Sequence, residues 1–318
     1  MRLGADHVRV RVPATSANLG PGFDALGLAL DLVDELEVHA LGSPGVRVEV
    51  TGEGAGQVPD DEQHLVISSL RAALDHVGAP QTGLHLVCHN RIPHGRGLGS
   101  SAAAVVAGII AARGLIAEPE ALSDDVVIDL AGSIEGHPDN AAPAVLGGAT
   151  LAWHDDTGFR AIPLAVDPRV APIAIVPSTH LSTKAARGVL PATVPHADGA
   201  FQAGRSALLV EALGRRPDLL LTATEDRLHQ EYRRSVMRDS LALVDALRSR
   251  GVAAVVSGAG PTVLVLARSV GGPGEVAGTD ADEAIADAFG GVMGGWRVLP
   301  LAVDRRGATV ELGSPSSR

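Results

Sequence analysis

The chain has 318 residues and a net charge of −11, with 46% hydrophobic and only 2% aromatic residues. That acidic balance excludes a general nucleic-acid binder, which needs a basic face, and the scarcity of aromatics leaves a core to be built from Ala, Val, Leu and Ile. The longest apolar run falls short of the roughly 20 residues a bilayer needs, and the chain opens on a charged, strand-like segment rather than a signal sequence, so a soluble, cytoplasmic protein of one large or two medium domains is expected.

Val8, Val10 and Val12 alternate with Arg9 and Arg11, the period of a strand with one solvated face, expected to stop at Pro13. Residues 13–24 (PATSANLGPGFD) then combine turn formers with small polar side chains over a length that suits a binding loop. Asn18 and Asp24 serve equally well there as plain turn residues beside Gly20, Pro21 and Gly22. Residues 46–50 alternate again, 52–63 read as an exposed acidic loop, and Ile67, Leu70, Leu74 and Val77 form one helical face closed by Gly78. Leu84, Leu86 and Cys88 mark a further half-buried strand. As the only cysteine, Cys88 excludes an internal disulfide or a cysteine-based zinc site.

That strand leads into Pro93-His94-Gly95-Arg96-Gly97-Leu98-Gly99-Ser100-Ser101-Ala102-Ala103, three alternate glycines and two serines opening an all-apolar helix. A helix N-terminus offers unpaired N–H groups and partial positive charge, which suit a phosphate; the alternative is a glycine turn that only joins two buried elements. Lys184 is the only lysine, and neither a P-loop nor a protein-kinase lysine pattern surrounds it. A nucleotide would therefore be held by another architecture.

Further on, the apolar spacing of 122–134 predicts a helix that delivers Glu135-Gly136-His137-Pro138-Asp139-Asn140, followed by a strand over 149–153. Turn residues and short segments at 155–168 mark the expected domain boundary, giving units 1–165 and 166–318. A strand over 171–176 leads to Ser182-Thr183-Lys184-Ala185-Ala186-Arg187. Residues 200–236 are expected to be mostly helical, with Arg227, His229, Tyr232, Arg233 and Arg234 close together. A helix over 241–250, a strand over 252–256, the glycine turn 257–262 and a strand over 263–266 follow. Residues 271–278 read as a glycine-rich linker, Thr279 and Asp282 as a capping box, and 313–318 as a frayed tail.

Three of these segments together, the proline- and glycine-rich first loop, the central P-x-x-x-G-L-G-S-S-A-A loop and the G-A-G-P-T turn, resemble the superfamily of galacto-, homoserine, mevalonate and phosphomevalonate (GHMP) kinases. Within it, residues 13–24, 135–140, 182–187 and 229–233 are similar to the homoserine kinase branch, which often has Pro where this chain has Glu231. The resemblance implies a two-domain α+β fold, with an N-terminal domain like a ribosomal protein and a ferredoxin-like C-terminal domain. It also implies Mg2+ and ATP, L-homoserine as substrate, O-phospho-L-homoserine as product on the route to threonine, and a homodimer.

On the same basis, residues 93–103 would hold the triphosphate, and Ser101 (or Ser100) with Glu135 would bind Mg2+. Arg187 and Arg233 would take the substrate carboxylate, and Asn18 and Asp24 its ammonium, with His137, Asp139 and Thr183 lining the site. Asn140 would orient the reacting hydroxyl without a dedicated base, and Asp139 would mainly bind substrate. Other GHMP kinases, acting on mevalonate, a sugar or a diphosphocytidyl polyol, remain alternatives, as does a non-catalytic nucleotide-binding relative. A dinucleotide-binding oxidoreductase lacks its βαβ fingerprint here.

Overall fold

The strands divide between two sheets. The computed structural model describes residues 1–270, 278–290 and 294–313, so of the expected linker and tail only Gly278 and Gly313 lie among the described residues. The first sheet contains β1 (His7–Asn18), β2 (Gly22–Leu41), β3 (Val46–Gly52), β4 (Gly83–Asn90), β5 (Ala149–Asp155), β6 (Gly158–Leu164) and β11 (Thr309–Leu312). Its order is β11-β1-β2-β4-β3, with β5 also paired to β2 and β6 to β5. Only the β3–β4 pair is parallel. The second sheet is antiparallel, with β7 (Val170–Pro177), β8 (Ala254–Val256), β9 (Val263–Arg268) and β10 (Trp296–Pro300) in the order β10-β7-β9-β8.

The helices are α1 (Leu65–His76), α2 (Ser100–Leu115), α3 (Asp124–Glu135), α4 (Ala141–Leu146), α5 (Thr183–Gly188), α6 (His196–Gly214), α7 (Leu220–Ala223), α8 (Arg238–Ser249) and α9 (Asp282–Ala288). Helix α2 is apolar on all sides because it is enclosed on all sides, by α1, α3 and β1. Val105, Val106, Ile109 and Ile110 meet Ile67, Leu70 and Leu74 of α1 and Val8, Val10 and Val12 of β1 in the larger core. Each such side chain, fully buried, contributes about 1.5–3 kcal/mol relative to exposure. A second core joins Leu241, Val244 and Leu247 of α8 to Ile173, Ile175, Val263 and Val265 of the second sheet.

Several expectations are corrected. Strand β1 does not stop at Pro13 but runs to Asn18, because the register slips between Pro13 and Ala14 and a bulge spares the proline a donor it lacks. The expected binding loop 13–24 is therefore a hairpin with a three-residue turn at 19–21; pairing with β2 outweighs the weak strand preference of Ala, Ser and Asn. The stretch 200–236 is mostly helical as expected, but its helix is interrupted after Ala223, where the Asp226 carboxylate accepts from the N–H groups of Leu228, His229 and Gln230, and resumes only as a 3-10 turn at Glu231–Arg233. The stretch 155–168 contains β6, hairpin-paired to β5. Thr279 and Asp282 form only half of the expected capping box: Asp282 accepts from both the N–H and the hydroxyl of Thr279, but that hydroxyl accepts from Ala281 N–H rather than from Asp282. Strands β10 and β11 had no counterpart in the sequence reading, and β11 carries the end of the chain back to β1.

Candidate active site

Strand β4 hands the chain to the glycine loop under tight control. Asp34, buried in β2, accepts from the N–H groups of Arg91 (2.6 Å) and Ile92 (2.9 Å), and Ile92 and Leu98 are fully buried anchors. The loop carbonyls then turn into the protein. Gly95 O accepts from Leu181 N–H at 3.0 Å, Arg96 O from Thr262 N–H at 3.2 Å, Gly97 O from the Ser257 hydroxyl at 2.6 Å and Leu98 O from Thr15 N–H at 3.1 Å. With the carbonyls so engaged, the N–H groups from Gly95 to Ala102 donate to no protein acceptor among the described residues. A cradle of free donors at the N-terminus of a sixteen-residue helix is the arrangement a phosphate chain needs.

Two glycines are demanded by space as well as by φ. At Gly97 (φ 78°) a Cβ would run into the Ser257 carbonyl oxygen and sit 2.9 Å from Gly260 N and O. At Gly99 (φ 69°), the residue before α2, it would collide with the Thr15 hydroxyl and lie 3.0 Å from Asn140 Oδ1.

This loop forms one wall of a cleft of about 320 Å3, and across it the predicted groups assemble. The Ser101 hydroxyl, in the first turn of α2, donates to Glu135 Oε1 at 2.6 Å from the last residue of α3. Gly136 (φ 81°) ends that helix, and His137 Nδ1 lies 2.8 Å from Oδ1 of the buried Asp139. The bond to Asp139 raises the His137 pKa above its ordinary value against the opposing cost of burial. Asn140 Oδ1 accepts from the Thr15 hydroxyl at 2.9 Å, so its amide N–H groups are left for the cleft.

The arginines differ in state. Arg187 of α5 forks onto Asp24, at 2.5 Å and 3.1 Å, and its own pKa is raised by that pairing. Arg233 is 1% exposed, and its hydrogen bonds all go to neutral groups: Ala186 O (3.2 Å), Gly258 O (3.1 Å) and His229 Nδ1 (3.0 Å). Burial, and then the neighbouring Arg187, pull its pKa down to about 10, which leaves it a cation at neutral pH. No carboxylate pairs with it among the described residues. A buried cation without an anion is costly until an anion arrives. Asn18 (φ 68°) and Asp24 (φ 55°) hold left-handed conformations, and both ends of the Asn18 amide are engaged, Nδ2 donating to Gly258 O and Oδ1 accepting from Asp24 N–H.

Of the residues singled out from sequence, Asn18, Gly95, Gly97, Gly99, Ser100, Ser101, Ala102, Glu135, His137, Asp139, Asn140, Thr183, Arg187 and Arg233 line this cleft, whereas Asp24 reaches it only through Arg187. His94 and Ala103 line a second cavity of about 260 Å3, which shares Ser100 and Ser101 with the cleft. Pro93, Arg96 and Leu98 line neither; the Arg96 guanidinium instead ties the loop to Pro177 O and Ser178 O at the end of β7. The second cavity's other walls, among them Val58, Pro59, His64, Val66 and Ala107, went unmarked in the sequence reading. Asp34, Gln63 and Asn90 add polar groups to that lining, and burial pushes the Asp34 pKa up to about 6.

Family models agree with this geometry: the one described as GHMP kinases N terminal domain matches residues 64–148, and GHMP kinases C terminal matches 200–290. The homoserine kinase of Streptomyces avermitilis is 53% identical over 305 residues, 95% of this chain and 95% of that protein. The crystal structure of homoserine kinase from Cytophaga hutchinsonii superposes with a TM-score of 0.83 at 28% identity, covering 97% of this chain and 98% of that one. L. major mevalonate kinase shares the fold, with a TM-score of 0.65 at 17% identity over 93% of this chain and 95% of that one. The chain belongs to the GHMP kinases and, within them, to the homoserine kinase family.

Proposed function

We propose that the chain transfers the γ-phosphoryl group of ATP to the side-chain hydroxyl of L-homoserine, giving O-phospho-L-homoserine and ADP, as the step its relatives' name implies on the route to threonine. The observation that carries this reading is the single cleft in which a free phosphate cradle faces a buried, unpaired Arg233. An amino-acid carboxylate answers that cation, and the forked Arg187 stands beside it. Asp24, together with the Asp139 that His137 orients, supplies negative charge for the ammonium. Asn18 contributes by fixing the backbone that presents Asp24.

Phosphoryl transfer asks for positioning and charge neutralisation more than covalent help. The N–H groups of residues 95–102 bind the phosphates. Asn140 donates to the homoserine hydroxyl oxygen and aligns a lone pair on the γ-phosphorus. As the new O–P bond forms and the bond to the ADP oxygen breaks, the hydroxyl proton passes to a phosphoryl oxygen rather than to a side-chain base. Ser101 and Glu135 are hard oxygen donors 2.6 Å apart, a set that fits Mg2+ with its remaining positions left to phosphate and water. When bound there, the ion would neutralise charge on the phosphates. The adenine ring is assigned to the cavity between Val58, Pro59, Val66, Ala104 and Ala107.

We read residues 1–165 as the ATP-binding unit and 166–318 as the second unit, in a cytoplasmic homodimer. The test is a panel of homoserine, serine, mevalonate and galactose with Mg2+ and ATP. Turnover of homoserine above the others is expected, and Arg187→Ala raises KM for homoserine with kcat largely kept. ATP binding without phosphorylation of homoserine overturns the proposal.

A further inference from the structure

On the solvent side of the first sheet, away from the cleft, a second group of chemically capable side chains converges. His7 of β1 is the direct register partner of His39 on β2, and His39 in turn faces His85 on β4. Glu37, two residues before His39, shares their face and opposes Arg9. Strand alternation accounts for this, since Val8, Val38, Leu84 and Leu86 point the other way and are fully buried. The His7 and His39 rings stack with centroids 3.9 Å apart, and the His85 ring lies 5.7 Å beyond.

The orientation of the polar atoms is more specific than stacking requires. Arg9 Nε holds one Glu37 oxygen at 2.9 Å and leaves Oε2 facing both imidazoles, 3.2 Å from His7 Nε2 and 3.8 Å from His39 Nε2. One ligand atom from each of His7, Glu37 and His39 lies within 4.8 Å of the other two. A tetrahedral ion with nitrogen ligands at 2.0–2.1 Å places its ligand atoms roughly 3.3 Å apart. Small side-chain rotations reach that spacing. We propose that His7, His39 and Glu37 form a binding site for one divalent transition-metal ion of the zinc type, with water at the fourth position.

Two imidazoles and one carboxylate suit zinc and disfavour Mg2+, which demands oxygen ligands, so this site is chemically distinct from the Ser101–Glu135 pair. Arg9 acts as the outer partner that orients the carboxylate. The site bridges β1 and β2 where Gly313, just after β11, is also held, its N–H donating to His7 O at 2.9 Å.

The test uses tag-free, chelator-treated protein dialysed against Zn2+ with Mg2+ in excess, and Co2+ as a spectroscopic probe. One saturable equivalent of Zn2+ per chain is expected, with a rise in Tm and visible Co2+ bands. His39→Gln and Glu37→Gln each weaken binding by at least about tenfold, and Arg9→Ala by about tenfold. His89→Gln leaves binding unchanged, because that exposed histidine pairs with Thr51 outside the cluster. Both ligand variants are checked for an unaltered metal-free Tm, Glu37→Gln serving if His39→Gln folds poorly. Absence of saturable binding, or binding that survives both substitutions, overturns the proposal and leaves a hydrogen-bonded histidine stack.

Discussion

Replacing Gly97 with alanine tests whether the phosphate cradle is held in place by the second sheet. The added Cβ pays for a left-handed backbone, about 1–2 kcal/mol. It must also displace the Ser257 carbonyl and the Gly260 backbone, neither of which is the end of a flexible side chain; overpacking of that kind costs about 1–3 kcal/mol. Gly95→Ala isolates the first cost, because at φ 62° its Cβ would meet only His180, at an ordinary 3.4 Å. The two variants should therefore differ by about 1–3 kcal/mol, roughly a five- to 150-fold ratio if it appears wholly in ATP affinity. Initial rates against ATP at saturating homoserine give the KM part, and thermal melts give whatever the fold absorbs. If Gly97→Ala matched Gly95→Ala in both KM for ATP and Tm, the coupling between loop and turn would be refuted.

Other substitutions address the roles of single groups. Asn140→Ala should lower kcat about ten- to hundredfold through lost alignment, while Asp139→Asn should act mainly on KM; loss of turnover by Asp139→Asn at unchanged substrate affinity would make Asp139 a base. Glu135→Ala should raise the Mg2+ concentration needed for half-maximal rate, and an unaltered metal titration removes it as a ligand. His137 has a raised pKa, caused first by its bond to Asp139, so its contribution to stability is complete below about 6.5 and fades as pH rises through the raised value. Melts of wild type and His137→Gln from pH 5.5 to 9 should show the variant's deficit shrinking with pH; a deficit that grows contradicts the assignment.

The loop at 93–103 was legible because its chemistry is local: glycines where φ is positive, serines where a helix begins. Residues 13–18 were misread for the opposite reason. In Ala-Thr-Ser-Ala-Asn only Thr15 favours a strand, and pairing with β2 and the Thr15 bond to Leu98 make it one. Motif similarity brought Arg187 and Arg233 into the site, but their states are tertiary facts. Asp24, 163 residues away from Arg187, occupies one guanidinium, while burial strips the other of any anion. The cavity walled by Val58, Pro59 and Val66 left no trace in sequence, because apolar residues at a loop and helix start look the same whether they face a core or a ligand.

The return of β11 to β1 means that the first sheet is not built from one continuous piece of chain, whereas the stretch Val170 to Pro300, which carries the whole second sheet, is inserted between β6 and β11. A cut after residue 165 leaves Val8 to Arg11 as a bare sheet edge, open to pairing with another copy, and the remainder carries away a strand with no sheet to join. It also means that the two sheets are linked by two covalent straps, one from β6 to β7 and one from β10 to β11. A body tethered twice cannot twist freely against its neighbour. The larger core adds a further restraint, because it joins Leu28 and Leu30 of the first sheet to Ala174, Val176, Leu264 and Leu266 of the second.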